Sequence, residues 1–258
     1  MMKISPIPAF TDNYIWQLND GSKAFVVDPG DAKPVIRFLE SAELTLAGII
    51  LTHHHWDHTG GVKELLDLWP GIPVYGPARE DIPEVTHPLE EGDSIHVLGK
   101  TFEILDVPGH TAGHIAYYSV QKDDHDLLFC GDTLFSSGCG RLFEGTAAQM
   151  YESLSKLKAL PEETLVYCTH EYTSANLKFA QAVEPDNEDI AARIKEVEQL
   201  RSKDLPTVPS TLGLELRVNP FLRWDEPQVI ASANERSETM STEPVEVFAA
   251  IRAWKDKF

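Results

Sequence analysis

A chain of 258 residues, 42% of them hydrophobic, carries enough apolar mass for one well-filled core, and more naturally for a larger domain with a smaller appendage. Its formal charge of −19, from 22 basic against 41 acidic side chains, repels phosphate backbones and anionic membranes, and no run of Lys or Arg offsets this locally. Nucleic-acid binding and membrane association are therefore not expected: no apolar run approaches the roughly 18 to 20 residues of a span, and the opening Met1-Met2-Lys3-Ile4-Ser5-Pro6 has no apolar segment of the signal-peptide kind. A cytoplasmic monomer is the expectation.

In chain order, Tyr14 to Leu18 and Ala24 to Val27 are expected strands around Asn19-Asp20-Gly21-Ser22, whose Asp-Gly signals a hairpin. Asp31 to Ser41 has helical spacing, Leu46 to Leu51 is a short apolar strand ending at a histidine cluster, and Val62 to Trp69 is again helical. Strands follow at Ile72 to Tyr75, Ser94 to Leu98, Thr101 to Val107, Ile115 to Val120, Asp126 to Cys130 and Thr164 to Cys168, with a helix over Ala147 to Leu160. After Tyr172 the texture changes to charged helical segments, Ser174 to Val183, Glu188 to Ser202 and Val245 to Trp254, separated by stretches bearing Pro185, Pro206, Pro209 and Pro220. These patterns predict an α/β domain over 1–172 and a helical domain over 173–258. Cys130, Cys139 and Cys168 are odd in number and lack Cys-x-x-Cys spacing, so neither a disulfide framework nor a cysteine zinc site is expected.

The stretch Thr52-His53-His54-His55-Trp56-Asp57-His58 places several ligating side chains in one short loop between a strand and a helix. In extended chain His53 and His55 point the same way and can share a metal, while Asp57 and His58 fall on the turn into the helix and can serve a second ion. His54 and Trp56 point elsewhere. Two sites need more donors, and other strand ends supply them: His110 after Val107-Pro108-Gly109, Asp132 after Phe129-Cys130-Gly131, and His170 after Val166-Tyr167-Cys168-Thr169. The expectation is two divalent ions per chain, His53, His55 and His110 on one, Asp57, His58 and His170 on the other, and Asp132 bridging. Zinc is the first expectation, with iron and manganese accepted by the same donors. His114 is either an outer partner of a ligand or a satisfied buried histidine, and His87, His96 and His125 are expected at the surface. Asp28 either orients a ligating histidine or serves the turn with Pro29-Gly30.

This ordered set resembles the metallo-β-lactamase superfamily, whose fold is a four-layer αβ/βα sandwich. Within it, Thr11-Asp12-Asn13-Tyr14, Cys139-Gly140-Arg141 with Glu144-Gly145-Thr146, and Thr169-His170-Glu171-Tyr172-Thr173 resemble the glyoxalase II (hydroxyacylglutathione hydrolase) family. So do Asn219-Pro220-Phe221-Leu222-Arg223 and the closing Arg252-x-x-Lys255-Asp256-x-Phe258 in the helical tail. The resemblance implies hydrolysis of S-(2-hydroxyacyl)glutathione, chiefly S-D-lactoylglutathione, to glutathione and D-lactate, with hydroxide held between two ions as nucleophile. It places substrate contacts at Arg141, Phe143, Tyr172, Arg252 and Lys255, with Phe143 departing from a common tyrosine and so lacking its hydroxyl. Asp57 joins the ligands as a possible proton acceptor. A persulfide dioxygenase or a lactonase of the same fold is the alternative; the second metal set and the cationic tail favour the thioesterase.

Overall fold

Residues 2–122, 124–237 and 240–258 are described by a computed structural model, so Met1, where the expected first domain begins, lies outside the described residues. They fall into two units: one runs to Asp106 and resumes over Thr111–Gly131, the other takes Val107–His110 and Asp132–Phe258.

The first unit begins with an antiparallel pair, β1 (Lys3–Ala9) and β2 (Asn13–Asn19), in register at Ile7 and Ile15. Strand β1 escapes sequence reading because Pro6 and Pro8 weaken the strand signal; it is an edge strand with β2 as its one neighbour, where a missing N–H is tolerated. The expected hairpin leads from β2 to β3 (Lys23–Val27): Asp20 Oδ1 accepts from the Ser22 and Lys23 amides at 2.9 and 2.8 Å, and these bonds lower the Asp20 pKa. Helix α1 (Ala32–Ser41), capped by Asp31 on the Lys33 amide, then carries the chain to a parallel strand, β4 (Thr45–Ile50). Its Val35 and Leu39 bury against Val26, Leu46, Ile49 and Val74, at about 1.5–3 kcal/mol for each side chain removed from water.

The short α2 (Trp56–Thr59) and α3 (Val62–Leu68) lead to β5 (Val74–Pro77), parallel to β4, followed by β6 (His87–Leu89). Because β3, β4 and β5 are parallel neighbours, the loops that leave them emerge along one edge of the sheet, which brings residues 28, 52–58 and 77–80 together. An antiparallel set completes the unit: β7 (Ser94–Val97), β8 (Lys100–Asp106), β9 (Ile115–Ser119) and β10 (Leu127–Gly131). Tyr117 of β9 donates its hydroxyl to the Leu51 carbonyl at 2.7 Å; burial, with the Asp28 charge adding to it, pushes its pKa well above the usual value.

The second unit opens with a tight pair, β11 (Leu134–Phe135) and β12 (Gly138–Cys139), then α4 (Ala147–Lys158), which starts in a Thr146–Gln149 capping box. Strands β13 (Leu165–Cys168) and β14 (Ser210–Thr211) pair, and the remainder is helical: α5 (Thr173–Val183), α6 (Glu188–Arg201), α7 (Leu212–Val218), α8 (Pro227–Arg236) and α9 (Pro244–Lys255). Leu177, Ala180, Ile190, Val197 and Val218 pack into a core of α5, α6 and α7. Helices α7 and α8 go unanticipated by sequence reading, the first being short and containing Gly213, the second starting on Pro227 among polar residues. The three cysteines are buried and form no disulfide, and burial pushes the Cys168 thiol up to about 12. Among the described residues, no helix is long and apolar enough to cross a membrane.

Candidate functional site

In the first unit, the edge made by β3, β4 and β5 carries His53, His55, Asp57 and His58. Asp28 accepts from the Thr52 amide at 2.8 Å through Oδ1, and from the Thr52 hydroxyl at 2.7 Å through Oδ2. The same Oδ2 lies 3.1 Å from His58 Nδ1, so Asp28 orients a histidine rather than serving its turn alone. A carboxylate can only accept, so His58 carries its proton on Nδ1 and not on Nε2. Thr52 sets His53 by the same logic. Its hydroxyl proton is committed to Asp28, so His53 Nδ1, 3.0 Å away, must be the donor, and His53 Nε2 is left with its lone pair. That nitrogen lies 3.1 Å from His55 Nδ1, which places the two expected co-ligands side by side.

Ligand atoms of Asp28, His53 and His58, all buried, lie within 4.8 Å of one another. Asp57 sits one residue into α2; its Oδ2 is 3.5 Å from His58 Nε2 and accepts from the Asn13 amide at 3.1 Å. Gly30 makes this approach possible, since a Cβ there would overlap the Asp57 carbonyl. Sequence reading passes over Thr52 and gives Asn13 no role, because neither has a ligand spacing. His114 is buried and stacks on His53 at 4.6 Å with 19° between the rings, while His87, His96 and His125 are exposed as expected. His54 turns away from the ligand set toward Glu80.

In the second unit, Asp132 lies between two imidazoles: Oδ2 is 3.3 Å from His110 Nε2 and Oδ1 is 3.4 Å from His170 Nε2. Oδ1 also accepts from the Thr169 hydroxyl at 2.7 Å. His110 Nδ1 donates to the Arg141 carbonyl at 2.9 Å, which again puts the proton on Nδ1 rather than Nε2. A carboxylate whose two oxygens face different imidazoles has the form needed to bridge.

The expected substrate residues belong to the same unit. Phe143 is 64% exposed and sets its ring edge against His110 at 5.3 Å, and Tyr172 stacks on His170 at 4.6 Å with 7° between the rings. Arg141 is exposed. Arg252 is only 4% exposed; it donates to the Cys139 carbonyl at 3.0 Å and to Asp256 at 2.9 Å. Lys255, one turn along α9, is half-buried and donates to the Ala175 carbonyl at 3.3 Å. Burial, then the Arg252 charge, with Arg141 adding less, bring its pKa down to about 8.

The donors thus include three imidazoles, His53, His58 and His110, with Nδ1 held by oxygen, together with His55, His170 and orientable carboxylates, a set that fits a divalent cation of the zinc, iron or manganese type.

Residues 10–170 match the model of the metallo-β-lactamase superfamily, and residues 171–258 match the hydroxyacylglutathione hydrolase C-terminus. Over the full length of both chains, the sequence is 52% identical to hydroxyacylglutathione hydrolase 2 of Vibrio vulnificus and 54% identical to the hydroxyacylglutathione hydrolase of Pseudomonas aeruginosa. The chain belongs to the hydroxyacylglutathione hydrolase family of the metallo-β-lactamase superfamily. Among solved structures, BLEG-1 B3 metallo-β-lactamase is 28% identical with a TM-score of 0.62, covering 86% of this chain and all of its own. ETHE1 of Myxococcus xanthus, at 24% identity, shares the fold with a TM-score of 0.64 over 99% of this chain and 98% of its own. The expected α/β class and metallo-β-lactamase fold are borne out. Membership of the hydroxyacylglutathione hydrolase family also gives Asn219-Pro220-Phe221 and the α9 tail a context that composition alone did not supply.

Proposed function

We propose that this chain hydrolyses the thioester of S-(2-hydroxyacyl)glutathione, chiefly S-D-lactoylglutathione, releasing glutathione and D-lactate. The observation that carries the reading is full-length identity above half to proteins named hydroxyacylglutathione hydrolase, on a chain that keeps all of the expected ligating residues. In this reading His53, His55 and His110 hold one ion, Asp57, His58 and His170 the other, and Asp132 bridges. Zinc suits the donors first; a relative 27% identical over 85% of this chain has been solved in a di-iron-bound form, which keeps iron in view. Residues 1–172 then form the catalytic domain and 173–258 the substrate-binding domain, a division close to the bounds of the two family models.

Once bound, the ions supply an activated water and polarise the thioester carbonyl. The protein's own part is orientation and charge. Asn13 holds the Asp57 carboxylate, which is placed to receive the proton released as water's oxygen bonds to the acyl carbon. The carbon–sulfur bond then breaks, and a thiol with a pKa near 8.5 departs as thiolate with little proton assistance. Arg141 and Lys255 meet the glutathione carboxylates, Tyr172 and Phe143 flank the substrate, and Arg252 contributes charge while holding the Cys139 carbonyl.

Two assays on the same preparation test the reading: loss of thioester absorbance with S-D-lactoylglutathione, and oxygen uptake with glutathione persulfide. Rapid thioester loss without oxygen uptake is expected. Oxygen uptake with an inert thioester would overturn the assignment in favour of a persulfide dioxygenase.

A further inference from the structure

We propose that Glu80 is a positioning residue for the ligand loops, one buried carboxylate that ties His54, which stands between His53 and His55, to Thr111 and Gly113, which follow His110 in the chain. The proposal rests on the reading of His53, His55 and His110 as ligands. Glu80 leaves the end of β5, and the parallel order of β4 and β5 delivers it beside the histidine loop. Its side chain is 2% exposed. Oε2 lies 2.9 Å from His54 Nδ1, while Oε1 accepts from the Thr111 hydroxyl and, at 3.2 Å, from the Gly113 amide. Both carboxylate oxygens are therefore used, by donors from two separate loops.

Burying a carboxylate is costly unless it is well hydrogen-bonded, and packing does not require one here, because Ile82 and Val85 of the same segment already supply the apolar contacts. What the carboxylate adds is direction. It pulls the His54 ring away from the ligands and so fixes the backbone between His53 and His55, whose carbonyl side is held by the Thr59 hydroxyl at 3.1 Å from the His55 oxygen. On the other loop, Gly113 is bare where a Cβ would crowd Glu80 and the Arg79 backbone, so the approach depends on glycine.

A fold-stabilising contact alone would lower the stability of metal-free protein and leave zinc affinity intact, so both are measured. Zinc affinity by competition with a chromophoric chelator, and denaturant midpoints of the metal-free protein, are compared for the parent, Glu80→Ala, Glu80→Gln, Thr111→Val and His53→Ala. Glu80→Ala is expected to bind zinc at least about tenfold more weakly, as for loss of an outer partner of a metal ligand. Glu80→Gln should recover most of that loss, since its amide oxygen still accepts from the 111–113 loop and its NH₂ can donate to His54 Nδ1. Thr111→Val, which removes one arm and keeps the carboxylate, should weaken zinc severalfold and covers the case in which the alanine variant does not fold. Parent-like zinc affinity in Glu80→Ala, or in Thr111→Val should the alanine variant not fold, would overturn the proposal, as would an equal loss in Glu80→Gln. Retention of zinc by His53→Ala would instead overturn the ligand assignment, which separates the two failures.

Discussion

Lys255 places a readable charge in the second unit. A lysine in water keeps its proton to about 10.4, but half-burial and the Arg252 charge bring this one down to about 8. If it meets a glutathione carboxylate, it must be protonated to do so. Attraction is then complete well below pH 8 and fades as pH rises through that value, the direction expected for a base whose cationic form is disfavoured. KM for S-D-lactoylglutathione is predicted to climb between pH 7 and 9 while kcat changes less, because the contact is remote from the reacting carbonyl. Lys255→Met should raise KM at pH 7 and flatten that part of the profile; a parent-like profile in the variant would assign the pH dependence elsewhere. Arg252, tied to Cys139 and Asp256, is a different kind of cation from its neighbour, although the two are three residues apart on one helix. Their spacing would place them on one face, but Arg252 is buried and Lys255 only half-buried.

At the scale of elements, the site is held by structures that carry no ligand themselves. In the first unit, three parallel strands bring the loops after Val27, Ile50 and Pro77 to one edge. In the second, the β11–β12 pair that follows Asp132 is pinned from α7: Asn219 at its end donates to the Phe135 and Gly138 carbonyls at 3.1 and 3.0 Å, and Glu215 accepts from the Ser137 amide at 2.6 Å. Ser137 has φ of 58°, a strained conformation for a residue with a side chain, so these bonds hold a turn that would otherwise relax. Burial raises the Glu215 pKa, with its hydrogen bonds opposing the rise. Asn219→Ala removes both donors while leaving two buried carbonyls to find others; a loss of about 1–3 kcal/mol in unfolding free energy is predicted by denaturant titration. A midpoint unchanged from the parent would mean that water replaces the amide and that the hairpin needs no such post.

Elements with strong periodicity are legible in the sequence: α1, α4, α5, α6 and α9 and most strands lie within a residue or two of expectation. The misses have physical causes, proline in β1, a glycine in the short α7, and two-residue strands such as β14 that exist only because a partner is present. Of the site, the donors were legible because their types and strand-end positions are local facts. Glu80 and Thr52 are not legible there, since their role depends on which strands lie side by side, and the sequence alone allows Asp28 two roles, between which Thr52 and His58 on its oxygens decide.

For the whole molecule, a formal charge of −19 faces a substrate that is itself anionic, so binding depends on a few cations set close together and on the positive charge that bound metal would bring. Metal content is therefore decisive: without ions the site is a group of oriented imidazoles and carboxylates with no means of activating water. The most direct test strips the protein with a chelator, returns zinc in measured steps, and follows hydrolysis of S-D-lactoylglutathione by loss of its thioester absorbance at each step. Negligible turnover is predicted in the stripped protein, with activity that rises until about two ions are bound per chain. Full activity in the metal-free protein, or a plateau reached with a single ion bound, would contradict it.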